Sequence, residues 1–433
     1  MVGQAFAVHP HLMGQPPAAR VSMAPETSVF DRRMLLILMM GPTILQRFTL
    51  PVMGGKIPLC FVWFYAALAV LLLFRKNIVI DAARLMLLSI FACFGVVTAF
   101  LNRMDASTFS FLFLILMMAP FILRVDMRRT DYLALLKVFQ GLALFIVICG
   151  IIQFAAQFVG GEQAMFPLDL VLPQKLFIQG YNLRIPVVEG GSIYKSTGLW
   201  LLEPSHFSQT CAFSLIIEAS FFRRPLRLAI IAVGVFLSFS GTGLILLASV
   251  GPLVVLRPRN LWLLALALVV ALVIALAGDA LMISSFTDRV QTFSNTQSSA
   301  YARFISPFIN FAQMLHEGGA HFLFGFGAGT MDNVTSSTDF ESHDTSWIKL
   351  IHEYGVLGAG AFMAFFSHAL FKRTSSPTLA VAFFVLFIFL GGYLLSSFIQ
   401  VVICILGAWP RVVEDPPQAA VWRPSPKVEA AGG

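Results

Sequence analysis

Residues 225–256 read PLRLAIIAVGVFLSFSGTGLILLASVGPLVVL, and this apolar run of 32 residues decides how the chain crosses a membrane. As one helix it would be roughly 48 Å long, whereas the hydrocarbon core of a bilayer is about 30 Å thick. Arg223 and Arg224 precede the run and Arg257 follows it. Because Lys and Arg mark cytoplasmic ends, we expect the run to cross twice and to turn at residues 238–243.

The same reasoning divides residues 377–409, which lie between Lys372 and Arg411 and should turn at Gly391 and Gly392. Shorter apolar runs recur from residue 34 onward, and 58% of all residues are hydrophobic while 12% are charged. We therefore predict an all-α, polytopic transmembrane helix bundle of about twelve spans over residues 34–409. Residues 1–33 and 410–433 should be disordered cytoplasmic ends.

The net charge of +7 does not indicate nucleic acid, because basic residues in a membrane protein report its orientation. Most Lys and Arg fall on the side that we assign to the cytoplasm. The five cysteines lie in or at the ends of apolar runs, without the spacing of a zinc site or a disulfide framework.

Two segments assigned to the outer side are long, residues 160–204 and 279–346, and long loops are more often functional than mere connectors. Both are rich in Phe and Leu, so we expect them to pack over an outward cavity. They also hold basic residues against the general charge bias, namely Lys175, Arg184, Lys195, Arg289 and Arg303. Arginine binds phosphate through a planar fork of donors, although any single one of them is equally well explained as solvated surface charge.

Acidic and imidazole side chains mark the ends of both segments. Glu203 and His206 lie three residues apart at a helix start marked by Pro204, where they share a face as a pair suited to proton transfer. His343 and Asp344 precede the span that begins near Trp347, where an interfacial capping role is the alternative.

Two further acidic residues lie within predicted spans. Glu353 lies about one turn inside the span that begins near Trp347, and ionisable groups at that depth mark a polar cavity. Glu218 instead lies beside Arg223 and Arg224, with which it should pair, so we assign it no catalytic role.

The order of these features resembles the O-antigen ligase and Wzy-type polysaccharide polymerase superfamily of bacterial inner membranes. The resembling parts are Arg303 within residues 301–304, the Gly-rich residues 323–329, His343, and Glu353-Tyr354-Gly355. Residues 203–205 and 238–243 are similar to segments more frequent in the polymerases. Two positions depart from the pattern, since Asp344 stands where many relatives have Asn and Gly241 where many have Arg.

The resemblance implies a GT-C-like, inverting, metal-independent glycosyltransferase without a cofactor, acting on undecaprenyl-diphosphate-linked oligosaccharides at the periplasmic face. It would polymerise repeat units into exopolysaccharide or O-antigen. Arg303, with Arg184 and Arg289, would bind the diphosphate, and His343 or Glu203 would accept the proton of the acceptor hydroxyl. His206, Asp344 and Glu353 would support them. No Asp-x-Asp metal motif occurs in either outer segment.

The expected partners are the lipid-linked substrate, membrane lipid, a chain-length regulator and export proteins, and no nucleic acid. Two other functions stay open: an O-antigen ligase that transfers the glycan once to lipid A core or protein, and a transporter without covalent chemistry. The segment at Glu203 favours the polymerase over the ligase. Transporters place their ionisable residues at the bilayer midplane, whereas here polar groups concentrate at the outer ends of the spans.

Overall fold

The computed structural model describes residues 29–52, 55–74, 78–103, 105–188, 190–263, 296, 299–331 and 345–413. Helices dominate these residues, as the composition predicts. The first half contains α1 (Val29–Ile44), α2 (Leu59–Phe74), α3 (Ala82–Leu101), α4 (Thr108–Met118), α5 (Arg129–Met165) and α6 (Pro167–Val171). The second half contains α7 (Pro204–Ile217), α8 (Pro225–Leu237), α9 (Gly241–Val255), α10 (Ser299–Phe304), α11 (Ser306–Glu317), α12 (Gly319–Phe324), α13 (Ser346–Phe371), α14 (Pro377–Phe389) and α15 (Ser397–Ile403).

Two small sheets accompany the helices and depart from the all-α prediction. Strands β1 (Thr49–Val52) and β2 (Gly55–Pro58) form an antiparallel hairpin. Strands β3 (Ile78–Ile80), β4 (Leu123–Arg128) and β5 (Pro410–Val413) form a second sheet, with β4 antiparallel to β3 and parallel to β5. Backbone N–H and C=O groups outside helices need hydrogen-bond partners, and the pairing of these short strands supplies such partners. The apolar run that begins at residue 34 is helical only as far as Ile44, where α1 ends.

The two long apolar runs are each interrupted as their length requires. The first divides into α8 and α9, with residues 238–240 between them, and the second into α14 and α15, with residues 390–396 between them. Among the described residues, three helices have the length and apolar composition of a membrane span, Ala82–Leu101, Arg129–Val171 and Ser346–Phe371. Other apolar helices have 10–17 residues, so the count of twelve spans stays a prediction.

Helix α7 lies at the centre of the bundle, in contact with α5, α8, α9 and α14. Nearly all of its side chains are buried, including the polar Ser205, His206, Ser208 and Gln209. Helix α9 approaches it closely at Gly243, where an added Cβ would lie 2.5 Å from the Ser208 carbonyl oxygen. Only glycine permits this approach, which brings the start of α9 against the first turn of α7.

The first outer segment is fixed to the end of α1 by a buried arginine. Arg47 Nη2 lies 2.5 Å from Asp169 Oδ1, and Nη1 donates to the Leu199 carbonyl oxygen at 3.1 Å. The Arg47 guanidinium also stacks over the Phe177 ring at 4.9 Å. These contacts are made by residues 169–199, so this long segment is packed as expected.

We predict that Gly243→Ala destabilises the protein, because the new methyl group collides with the Ser208 backbone, which cannot move aside, as well as with the Ser208 hydroxyl. Overpacking of this kind costs about 1–3 kcal/mol. Gly251→Ala in the same helix is the matched control, since no atom lies within 4 Å of its added Cβ. Detergent-solubilised Gly243→Ala should melt below wild type while Gly251→Ala does not, and equal melting temperatures would contradict this packing.

Candidate functional site

An ion pair joins the two outer segments. Glu203 precedes α7, and its Oε2 accepts a hydrogen bond from Ser205 Oγ at 2.8 Å. Arg303, in α10, brings its Nη2 to 3.3 Å from the same oxygen. The two side chains are only 17% and 16% exposed, and they are 100 residues apart in the sequence. The pair predicted from separate motifs to share a site is therefore in direct contact.

One turn along α7, His206 is enclosed by aromatic rings. Its ring centroid lies 4.8 Å from that of Phe398 and 5.9 Å from those of Tyr181 and Tyr393. The Nδ1 atom of His206 is buried and has no hydrogen-bond partner among the described residues. The buried imidazole nitrogen in this aromatic cage is therefore open to a hydrogen bond with a polar group of a ligand.

Gln209 continues the same face of α7 three residues after His206. Its Oε1 accepts a hydrogen bond from the Tyr393 hydroxyl, and the Tyr393 backbone N–H donates to Ser346 Oγ at 3.1 Å. Ser346 is the first residue of α13, and its backbone N–H donates to the Gly391 carbonyl oxygen at 3.1 Å. The turn between α14 and α15 is thus fixed to the start of α13 and to the polar face of α7.

The segment between α8 and α9 supports the first turn of α7. Ser208 Oγ donates to the Ser240 carbonyl oxygen at 3.1 Å, and Thr242 Oγ1 donates to the Ser205 carbonyl oxygen at 3.4 Å. Residues 238–243 therefore hold the backbone that presents Glu203 and His206. Gly241 has nothing within 4 Å of an added Cβ.

The Gly-rich turn packs on a kink in α13. The kink is at Gly355, which has a φ of +67°, a conformation that favours glycine. The backbone N–H groups of Phe326 and Gly327 donate to the carbonyl oxygens of His352 and Glu353 at 2.9 and 3.0 Å. Glu353 is buried, and its Oε1 lies 3.4 Å from Lys349 Nζ. This ion pair and the hydrogen bond to its carbonyl oxygen place Glu353 where the Gly-rich turn packs on α13.

The remaining predicted residues fall in different places. Arg184 Nη1 is paired with Glu162 Oε1 at 2.6 Å, and no contact joins it to Arg303 within the described part of the chain. The Tyr194 hydroxyl also donates to Glu162, and this hydrogen bond raises the pKa of Tyr194. His343, Asp344 and Arg289 lie outside the described residues. Glu218 makes the predicted pair with Arg224, through two oxygens at 2.7 Å.

The aromatic cage and Gln209 were missed by the sequence reasoning. Gln209 was detectable, because it lies at the third position of the series Glu203, His206, Gln209, which repeats every three residues on one helical face. Tyr181 and Tyr393 carry no local signal. They reach His206 from segments more than 20 residues away in the sequence, through tertiary packing alone.

The family description that matches the chain is WcaD colanic acid polymerase, over residues 34–411. This match covers the helix bundle and both outer segments, including each residue described above. It agrees with the resemblance to the Wzy-type polymerases. Among curated proteins, no relative matches the chain.

We predict that the contact between Glu203 and Arg303 contributes to stability. Removing one partner of a pair shielded from solvent leaves a charge without its counterion. The double variant Glu203→Gln with Arg303→Gln should therefore lose less free energy of unfolding than the sum of the losses in the two single variants. Contacting residues show coupling free energies of roughly 0.5–3 kcal/mol in double-mutant cycles. The measurement is the free energy of unfolding in mixed micelles for wild type, both single variants and the double variant.

The matched control is the cycle of Glu162→Gln and Arg184→Gln, whose side chains are 38% and 52% exposed. Exposed ion pairs contribute little, so the coupling in this cycle should be much smaller. Equal coupling in the two cycles would contradict the special shielding of Glu203 and Arg303.

Proposed function

The chain belongs to the WcaD colanic acid polymerase family, and from this membership we propose that it joins oligosaccharide repeat units into a polysaccharide as a glycosyltransferase-type enzyme of the inner membrane. The observation that carries the site assignment is the contact between Glu203 and Arg303. This contact joins the two outer segments beside an aromatic cage.

We propose that the bundle has about twelve spans over residues 34–409 and that the end of the bundle with Glu203 and Arg303 faces the periplasm.

We propose a donor whose sugar is linked through diphosphate to a polyprenyl lipid. An apolar cleft lies among α1, α5, α7, α14 and α15 and supports this donor. Its walls include Leu201, Phe213, Phe383, Leu386 and Phe398. Gln209 lines the cleft and also contacts Tyr393 of the polar site. A prenyl chain in the cleft would leave its diphosphate near the polar face of α7.

Arg303 is proposed to bind the donor diphosphate. Its contact with Glu203 uses Nη2, which leaves the rest of the guanidinium fork to a ligand. As the bond between the anomeric carbon and the diphosphate oxygen breaks, negative charge builds on the leaving group, and a fixed guanidinium stabilises that charge. Ser205 fixes the Glu203 carboxylate through a hydrogen bond. We propose that the carboxylate held in this way orients Arg303. Arg184 and Arg289 remain proposed helpers.

His343 is proposed to accept the proton of the acceptor hydroxyl. It lies three positions before Ser346 in the sequence, so chain connectivity limits the distance between their Cα atoms to about 11 Å. Ser346 is joined to Tyr393, which contacts His206. The hydroxyl would attack the anomeric carbon opposite the departing diphosphate, which inverts its configuration, and no metal is required. Glu203 is the second candidate for this proton, and His206, Asp344 and Glu353 are proposed to support the site.

The function itself is tested in a strain that lacks this protein. We expect lipid carrier bearing single repeat units to accumulate, because units would be made and not joined, and the plasmid-borne gene should restore the polymer. Complete polymer retained on its lipid carrier would indicate the ligase instead. Chain-length regulators and export proteins remain expected partners.

We predict that Arg303→Ala lowers turnover about 100- to 1,000-fold, the usual loss when one stabilising donor of this kind is removed. Arg303→Lys should also fall well below wild type, since lysine lacks the planar fork. Arg103→Ala is the control, because Arg103 is exposed and stacks on Phe100. Polymer should be quantified at matched protein levels, and normal polymer from Arg303→Ala would exclude the proposed role.

We predict that His343→Gln lowers turnover about 100- to 10,000-fold, the range for loss of general base catalysis. Glu203→Gln should lower it less, since an amide oxygen still accepts from Arg303 and Ser205. The two variants should be assayed in the same membranes. If Glu203→Gln abolishes polymerisation and His343→Gln does not, the base is Glu203.

A further inference from the structure

A basic cleft lies at the opposite end of the bundle from Glu203 and Arg303. It is formed where α3 begins, where α13 ends, and beside strands β4 and β5. Helix α13 starts at Ser346, next to the Tyr393 turn, and its 26 residues end at Phe371. The helix kinks at Gly355, and at about 1.5 Å per residue the part after the kink alone rises roughly 24 Å. The cleft therefore lies at the end of α13 far from Ser346, and we expect it at the membrane surface opposite the candidate active site.

Cations dominate the walls of this cleft. They are Arg84, Arg124, Lys372, Arg373 and Arg411, and the imidazole of His368 lies beside them. Asp81 is the one carboxylate in the lining, and Asp126 lies close by, 3.3 Å from Arg124 and 3.8 Å from Arg411. Even with both carboxylates counted against five Lys and Arg, positive charge remains in excess, and Lys372 and Arg373 are exposed.

A buried arginine donor in the lining lacks an acceptor. Arg84 is 4% exposed, and its Nη1 lies 2.8–3.2 Å from the carbonyl oxygens of Phe121, Leu123 and Ala408. Arg84 Nε is buried with no hydrogen-bond partner among the described residues, and the same holds for the ring nitrogen Nε2 of His368. Leaving a buried donor unpaired is unfavourable. An anion with several oxygens in the cleft would satisfy the Arg84 donor.

Apolar side chains surround the cleft on the outer surface of the bundle. Ile80, Leu85, Met86 and Phe371 are 57%, 43%, 58% and 39% exposed. A free phosphate ion would make no use of these side chains. A phospholipid would place its phosphate among the cations and its acyl chains along the exposed apolar surface of α3.

We propose that this cleft binds the phosphate headgroup of an anionic phospholipid, in the leaflet opposite the candidate active site. Basic pockets at the ends of membrane helices are suited to such headgroups. Binding would join the start of α3, the end of α13 and the sheet of β3, β4 and β5 to the membrane surface. The proposal does not depend on polymerase activity, because no residue of the cleft belongs to the site at Glu203.

The test compares lipid binding to the purified full-length protein in detergent by native mass spectrometry. The probes are phosphatidylglycerol, phosphatidylcholine with the same acyl chains, and inorganic phosphate. We expect phosphatidylglycerol to bind in preference to phosphatidylcholine. Each Lys or Arg near a headgroup contributes about fivefold in affinity, so Lys372→Gln combined with Arg411→Gln should weaken binding roughly 25-fold.

Arg259→Gln is the matched control, since Arg259 is exposed and lies outside the cleft. It should bind phosphatidylglycerol as wild type does, and all variants should elute as the same species. Equal binding of the two lipids, or equal loss in the control and the double variant, would overturn the proposal. Tight binding of inorganic phosphate that the lipid cannot displace would overturn the assignment to a headgroup.

Discussion

The contact between Glu203 and Arg303 is the interaction on which the account of the active site depends. The two long segments, residues 160–204 and 279–346, are separated in the sequence by residues 205–278 and can form one site only if something joins them. The Glu203 carboxylate and the Arg303 guanidinium, 3.3 Å apart, join the segments at a point where both side chains are largely shielded from solvent. Ser205 and Thr242 extend the same network to the first turn of α7 and to the start of α9. The position of the Arg303 guanidinium therefore depends on the positions of the first turn of α7 and the start of α9.

Helix α7 brings together the polar and apolar halves of this site. A buried helix in a membrane protein ordinarily presents apolar or small side chains, yet this one presents Glu203, His206 and Gln209 on one face. Gln209 Oε1 accepts a hydrogen bond from Tyr393 in the turn between α14 and α15, and aromatic rings surround His206. The same face borders an apolar cleft. A substrate with a charged headgroup and a long hydrocarbon tail needs this combination.

The sequence predicted those features that depend on short-range pattern. The helix start at Pro204, the break after Leu237 and the pair of Glu218 with Arg224 all follow from proline chemistry, run length and local charge. The aromatic cage could not be predicted, because Tyr181 and Tyr393 approach His206 only through tertiary packing. The pairing of Arg184 with Glu162 was also missed, since the kink of α5 at Gly161 redirects the chain there. The short strands were not predicted, because three to six extended residues are too few to show a clear periodicity in the sequence.

The central claim is that this single chain, with Arg303 as an essential group, joins lipid-linked repeat units without an added nucleotide or metal. The most direct measurement is incubation of the purified protein with lipid-diphosphate-linked repeat units in chelator, followed by separation of the products by size. The account predicts a ladder of oligomers from wild type and from Arg103→Ala, and none from folded Arg303→Ala. A folded wild-type protein that forms no ladder, or an Arg303→Ala protein that forms the same ladder, would contradict it.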